Sequence, residues 1–203
     1  MYLPHFNRMD DSDVAAFLDG IGTADVVTTG ADGYPTATLM PFVREGDRLL
    51  LHMARANQHW RSIGDSAPAL AIVAGPQAYV SPSWYATKAE HGRVVPTWNY
   101  SSVHLTGTVS VHDDVEWLRD LVTRLTDLHE AGRQDRWAVT DAPETYVDKQ
   151  LRAIVGIELR IEQVEAKAKL SQNRSDEDRA GVIAGLESAG SDRDLQVARA
   201  MRG

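Results

Sequence analysis

Tyr34-Pro35-Thr36-Ala37-Thr38-Leu39-Met40-Pro41-Phe42-Val43 alternates in side-chain character, and the stretches on either side of it punctuate it as a strand. Thr36, Thr38, Met40 and Phe42 fall on one face, and Ala37, Leu39 and Val43 on the other, the two-residue period of a half-buried strand. Before it, Ala24–Thr29 is rich in β-branched residues, which favour the extended backbone, and the turn Ala31-Asp32-Gly33 follows at Gly30. After it, Glu45-Gly46-Asp47 makes a second turn into a strand over Arg48–Met53. Two tight turns joining three strands form an antiparallel meander.

Further along, Ala69–Ala74, Gln77–Val80, Val103–Val111 and Ala153–Ile161 read as strand segments, with a break at Ser81-Pro82-Ser83. A short helix over Ser12–Leu18 precedes the meander, and Asn57 opens a second over Asn57–Gly64 as a plausible N-cap. Val115, Leu118, Leu121, Val122, Leu125 and Leu128 recur at helical spacing. Ser175/Asp178 and Ser191/Asp194 are capping signatures for two terminal helices. About six strands with short connections need their edges protected, and closure into a barrel does this. The pattern therefore predicts a mainly β protein, a small antiparallel barrel with peripheral helices. Residues 1–170 form the barrel domain, including a helix over 113–132, and 171–203 a C-terminal helical extension.

The bulk figures narrow the function. The chain has 203 residues, 43% hydrophobic and 25% charged, the composition of an ordinary globular domain. Without cysteine it has no disulfide, thiolate metal site, iron–sulfur cluster or cysteine-linked flavin. No apolar run approaches the roughly 20 residues of a membrane span. The first residues lack the basic and apolar regions of a signal peptide, so a cytoplasmic location is expected. The net charge of −8, with no Lys/Arg cluster, weighs against direct DNA contact, because phosphate neutralisation supplies most of that affinity. Rossmann and P-loop fingerprints and the nucleophile-elbow motif are absent. The seven histidines lack metal-ligand spacing, and His5, His112 and His129 read as structural.

Three segments concentrate polar and aromatic groups. His52-Met53-Ala54-Arg55-Ala56-Asn57-Gln58-His59-Trp60-Arg61 passes from strand to helix. Unpaired N–H groups there, with Arg55 beside them, suit a phosphate; equally, Asn57 caps the helix while Trp60 packs and Arg55 is solvated. Ser83-Trp84-Tyr85 and Val95-Pro96-Thr97-Trp98-Asn99-Tyr100 suit a planar ligand, or form an aromatic core or interface cluster. Between them, Lys88–Arg93 reads as a charged loop. Lys167-Ala168-Lys169-Leu170-Ser171-Gln172-Asn173-Arg174 offers cations and amides, or leads into the next helix.

These strings, with Met1-Tyr2, Pro4, Phe6, Val103-His104 and Ile154-Val155-Gly156, resemble the signature segments of the PaiB family, described as FMN-binding and as negative transcriptional regulators. The resemblance runs from Met1 to about Leu186. It departs at Gln58, where the family carries proline at the first turn of a helix. It implies a six-stranded Greek-key split barrel like that of pyridoxamine-phosphate oxidases, a homodimer with FMN between its subunits. Thr36 and Thr38 would pass the flavin ring. His52, Met53, Arg55, Asn57 and Gln58 would follow the ring edge, ribityl chain and phosphate. Trp98 and Asn99 would approach from the partner, and Lys169 and Arg174 would stand near the phosphate. Flavin chemistry resides mostly in the cofactor, so few catalytic side chains are needed, and no acid–base pair stands out. A flavin-dependent oxidoreductase or flavin-linked regulator is expected. The alternatives are a negative transcriptional regulator acting directly or through a partner, and a haem-binding or haem-degrading barrel with His52, His59 or His104 on the iron.

Overall fold

The computed structural model describes residues 1–202. Its strands are β1 (Thr23–Thr29), β2 (Pro35–Glu45), β3 (Arg48–Ala54), β4 (Ser66–Val80), β5 (Thr97–His112) and β6 (Ile154–Lys169). Its helices are α1 (Asp11–Ile21), α2 (His59–Ile63), α3 (Thr87–His91), α4 (Val115–Glu130), α5 (Glu144–Leu151), α6 (Asp176–Ala189) and α7 (Asp192–Arg202). The strands close in the order β1-β2-β3-β6-β5-β4, an antiparallel ring that is not an even barrel. The expected meander is present: β1 pairs with β2 through Val26↔Thr38, and β2 with β3 through Phe42↔Leu51. Gly46 makes its turn at φ 60°, a region that glycine enters without a Cβ penalty. β6 then inserts beside β3, with His52 opposite Gly156, and β1 returns to β4 through Val26↔Ala71.

The chain divides into two compact units. A central unit holds Leu18–Val73 and His104–Val164; a terminal unit holds Met1–Phe17, Ala74–Val103 and the chain from Glu165 onward. In the central unit β3 is buried on both faces. Leu50 packs against Leu121 and Leu125 of α4, while Leu49, Leu51 and Met53 point to the other side, also buried. Each such leucine contributes about 2 kcal/mol relative to exposure. Asp114 starts α4 by accepting the Trp117 N–H at 2.8 Å. In the terminal unit, Ala78, Val80 and Tyr85 pack with Val182 and Leu186 of α6 and Val197, Ala198 and Met201 of α7. Trp84 sits so tightly on α6 that a Cβ at Gly185 would lie 2.3 Å from its ring. Among the described residues no helix is long and apolar enough to cross a membrane.

Several elements exceed or differ from the reading of the sequence. The two segments expected over 69–80 are one strand that continues through Gly75-Pro76. β5 starts at Thr97 and β6 runs to Lys169, beyond the expected 103–111 and 153–161, so Trp98-Asn99 and Lys167–Lys169 are strand. Lys88–His91 belongs to α3. The second helix begins at His59, two residues later than expected. Asn57 still serves its start, because its Oδ1 accepts the His59 N–H at 3.0 Å.

Candidate functional site

The central unit gathers Thr36, Thr38, His52, Met53, Arg55, Asn57 and Gln58 on β2, β3 and the start of α2. Of these, Thr38 and Asn57 bond to His59, which is buried. Thr28 Oγ1 meets His59 Nε2 at 2.9 Å and Thr38 Oγ1 meets Nδ1 at 2.8 Å; Asn57 Nδ2 donates to Thr38 Oγ1 at 3.2 Å. A hydroxyl can donate or accept, so this pair satisfies either tautomer of a neutral imidazole. Burial holds the ring below its ordinary pKa, in the neutral form. Both ring nitrogens are engaged, which leaves neither for an iron. Thr36, by contrast, is exposed, and Met53 is buried.

Arg55 is clamped at the end of β3. Its Nε donates to the Arg152 carbonyl at 2.9 Å and Nη2 to the Ile154 carbonyl at 3.0 Å, while both Nη groups donate to the Asp113 carboxylate. Asp113 accordingly lies below the usual carboxylate range because the Arg55 guanidinium donates to it. Guanidinium has five N–H donors; these contacts use four, and one on Nη1 is left over. Trp60 Nε1 donates to the Arg55 carbonyl at 2.9 Å, which fixes the backbone at the same point. Gln58 donates to the Ala56 carbonyl at 3.1 Å and accepts from Arg61 Nη1 at 2.9 Å. His52 Nδ1 is buried with no hydrogen-bond partner among the described residues.

The other predicted residues, Trp98, Asn99, Lys169 and Arg174, lie in the terminal unit and line one cavity of about 500 Å3. Strand alternation separates Trp98, which is exposed, from Asn99, which is fully buried. Asn99 Nδ2 donates to Ser171 Oγ at 3.0 Å, and Ser171 Oγ donates to Asn99 Oδ1 at 3.2 Å. This lock holds Ser171 at φ 63°, the one non-glycine residue with positive φ among those described. A side chain there costs about 1–2 kcal/mol. Gln172 braces the same turn by accepting the Leu170 N–H at 2.7 Å and donating to the Ala168 carbonyl at 2.5 Å. Lys169 Nζ donates to Thr97 Oγ1 and the Trp98 carbonyl, each at 2.5 Å. Its pKa is lowered by burial first, then by the neighbouring Lys167 and Arg174 charges. Arg174 lies 4.8 Å over the Tyr85 ring.

Sequence reasoning put Lys167 and Tyr85 in its candidate segments and Tyr2 in the resemblance, but gave none of them a role in the site. Lys167 is buried, donates to the Tyr2 carbonyl at 3.0 Å and lies 5.3 Å over the Tyr100 ring. A longer β6 would have revealed it, since a two-residue period puts Lys167 and Lys169 on one face. Tyr2 is 165 positions away along the chain from its lysine partner and carries no local signal.

A six-stranded uneven ring with this order, flanked by helices, is the split barrel of flavin-binding proteins. The family model described as "Putative FMN-binding domain" matches residues 1–163, and the chain belongs to that family. It is 31% identical over 206 residues to the protease synthase and sporulation protein PAI 2 of Bacillus subtilis, covering 99% of this chain and 96% of that protein. Two solved structures share the fold. The flavocytochrome Anf3 of Azotobacter vinelandii aligns with a TM-score of 0.60 at 22% identity, over 86% of this chain and 75% of that one. The FAD and haem binding protein of Mycobacterium smegmatis aligns at 0.58 and 24% identity, over 90% and 78%.

Proposed function

We propose that this protein binds FMN, does so as a homodimer, and acts as a flavin-dependent oxidoreductase. The observation that carries the choice of FMN is the clamped Arg55. FMN ends in a phosphate dianion, which calls for a fixed cation. Arg55 is immobilised by Asp113 and two carbonyls and keeps one N–H to donate. The family description supports FMN, and the names of the two structural neighbours support a flavin of either kind. Around Arg55, Thr38, Asn57 and His59 hold one another in place, so they form a preorganised polar edge. His52 Nδ1 wants a partner, and a flavin ring edge carries both donors and acceptors. When bound, the flavin supplies the electron transfer, and the chain supplies binding and orientation.

The dimer rests on β2. Leu39 is 64% exposed beside the exposed Ala37 on the same strand face. An exposed apolar strand face of this kind supports a surface that an assembly covers.

The deciding experiment is a near-UV and visible absorbance spectrum of freshly purified protein, followed by titration with FMN, FAD and riboflavin. Flavin absorbance, or quenching of FMN fluorescence together with a raised melting temperature, is expected. Absence of both sinks the reading. Tighter binding of FAD than of FMN would overturn the choice of mononucleotide. Sedimentation of a monomer at micromolar concentration would overturn the dimer.

A further inference from the structure

We propose that the cavity of the terminal unit is a second ligand site, one that takes a flat aromatic carboxylate rather than the flavin. Three cations converge on it, and among the described residues none of Lys167, Lys169 and Arg174 makes an ion pair within 4 Å. Lys169 donates to two neutral oxygens, so one of its three N–H groups is left. Lys167 is buried and faces a carbonyl and two tyrosine rings. Burying positive charge without a counter-charge is unfavourable, and an anion in the cavity offsets it. Asp178 lowers the field at Arg174 but already accepts from the Thr87 backbone and hydroxyl.

A second feature points the same way. Tyr85 lines the cavity, and its hydroxyl is buried with no hydrogen-bond partner among the described residues. A carboxylate oxygen would accept from it. The remaining wall is aromatic, with Tyr2, Trp98 and Tyr100, which suits a planar molecule better than a compact inorganic ion. The volume of about 500 Å3 falls in the range of small-molecule sites. The inference does not depend on the flavin reading, because all of these residues belong to the terminal unit.

The test is calorimetric titration of the full-length protein, flavin-free and saturated with FMN, using naphthoate, its neutral analogue naphthamide, and inorganic phosphate. Naphthoate should bind one per chain, and naphthamide about tenfold or more weaker, for want of the charge-assisted contacts. Lys169→Met and Arg174→Gln should each weaken naphthoate by about tenfold, with Lys169→Gln as a second variant should one melt early. Tyr85→Phe should weaken naphthoate and restore nothing to naphthamide. Equal binding of acid and amide, or no binding of either, overturns the proposal. Phosphate binding as tightly as naphthoate overturns the aromatic ligand. If Lys169→Met weakens FMN but not riboflavin, and naphthoate competes with FMN, the cavity holds the flavin phosphate; this inference then fails while the flavin reading stands. Naphthoate binding by a chain that binds no flavin would support this inference and sink the other.

Discussion

Replacing Arg55 by alanine separates a phosphate contact from a structural one. Wild-type Arg55 spends four of its five N–H donors on Asp113 and the carbonyls of Arg152 and Ile154. A flavin phosphate can therefore gain one charge-assisted hydrogen bond from it without disturbing the clamp. Such a bond contributes about 1.5–3 kcal/mol, so Arg55→Ala should raise the Kd for FMN by about ten- to a hundredfold. Riboflavin lacks the phosphate and should bind the variant nearly as it binds the wild type. The fold should survive: the Arg55–Asp113 pair is largely exposed, and pairs of that kind contribute about 1 kcal/mol at most. Arg55→Lys keeps the charge but cannot reach two carbonyls and a carboxylate at once, so it should recover only part of the loss. The assay is fluorescence quenching by variant protein of FMN and of riboflavin, at low and moderate salt. Equal losses for the two ligands, or no loss for FMN, would refute the phosphate role of Arg55.

Acid should weaken the fold through two buried imidazoles. Burial holds His52 and His59 below the ordinary value of 6.5, so the unfolded chain binds protons first. Their contribution is complete above the unfolded value and is lost as pH falls through 6.5 toward the folded pKa. Denaturant unfolding across that interval should show a shallower decline for His59→Gln than for the wild type, and parallel declines would contradict the assignment. Thr38→Val, an isosteric change, strips a partner from both His59 and Asn57 and should cost about 1–3 kcal/mol. Thr36→Val on the exposed part of the same strand should stay within about 0.5 kcal/mol, and similar losses for both would remove the case for the network. At Gly156 a Cβ would lie 2.1 Å from the Trp117 ring, which is stacked on His112 at 4.4 Å. Gly156→Ala should therefore cost about 1–3 kcal/mol by thermal melting, and an unchanged midpoint would show that Trp117 can move aside freely.

The first half of the barrel is legible because its local cues agree. Alternation along β2, Gly33 and Gly46 at its turns, and the β-branched run of β1 all point to one meander, and the observed strands end within two residues of the expected ones. The caps at Ser175 and Ser191 are visible for the same reason: each bonds a backbone N–H three residues on, at 3.2 and 3.3 Å. The second half is harder to read because its backbone ladder outruns its hydrophobic pattern. Between Glu162 and Val164 the side chains of β6 are exposed, so the strand has no alternation to show there. α5 buries just Val147 and Leu151, too few for a period to emerge.

The site obeys the same rule at longer range. Thr38, Asn57 and His59 stand within a short span, and the strand-to-helix segment that contains two of them is visible as a motif. What Arg55 does is decided by Asp113, 58 positions away, and what Asn99 does by Ser171, 72 positions away; no local string encodes those pairings. Charge shows the difference between a sum and a place most plainly. The net charge of −8 argues against an extended anionic partner such as DNA, which meets a whole face of the protein. A small ligand samples only what lies within about 8–10 Å, the screening length in physiological salt. Within that distance a ligand in the terminal-unit cavity meets Lys167, Lys169 and Arg174, none of which makes an ion pair within 4 Å among the described residues, with Asp178 tempering the field at Arg174. An acidic chain can thus present a locally cationic pocket, and the overall balance of charge carries no weight against a small anion.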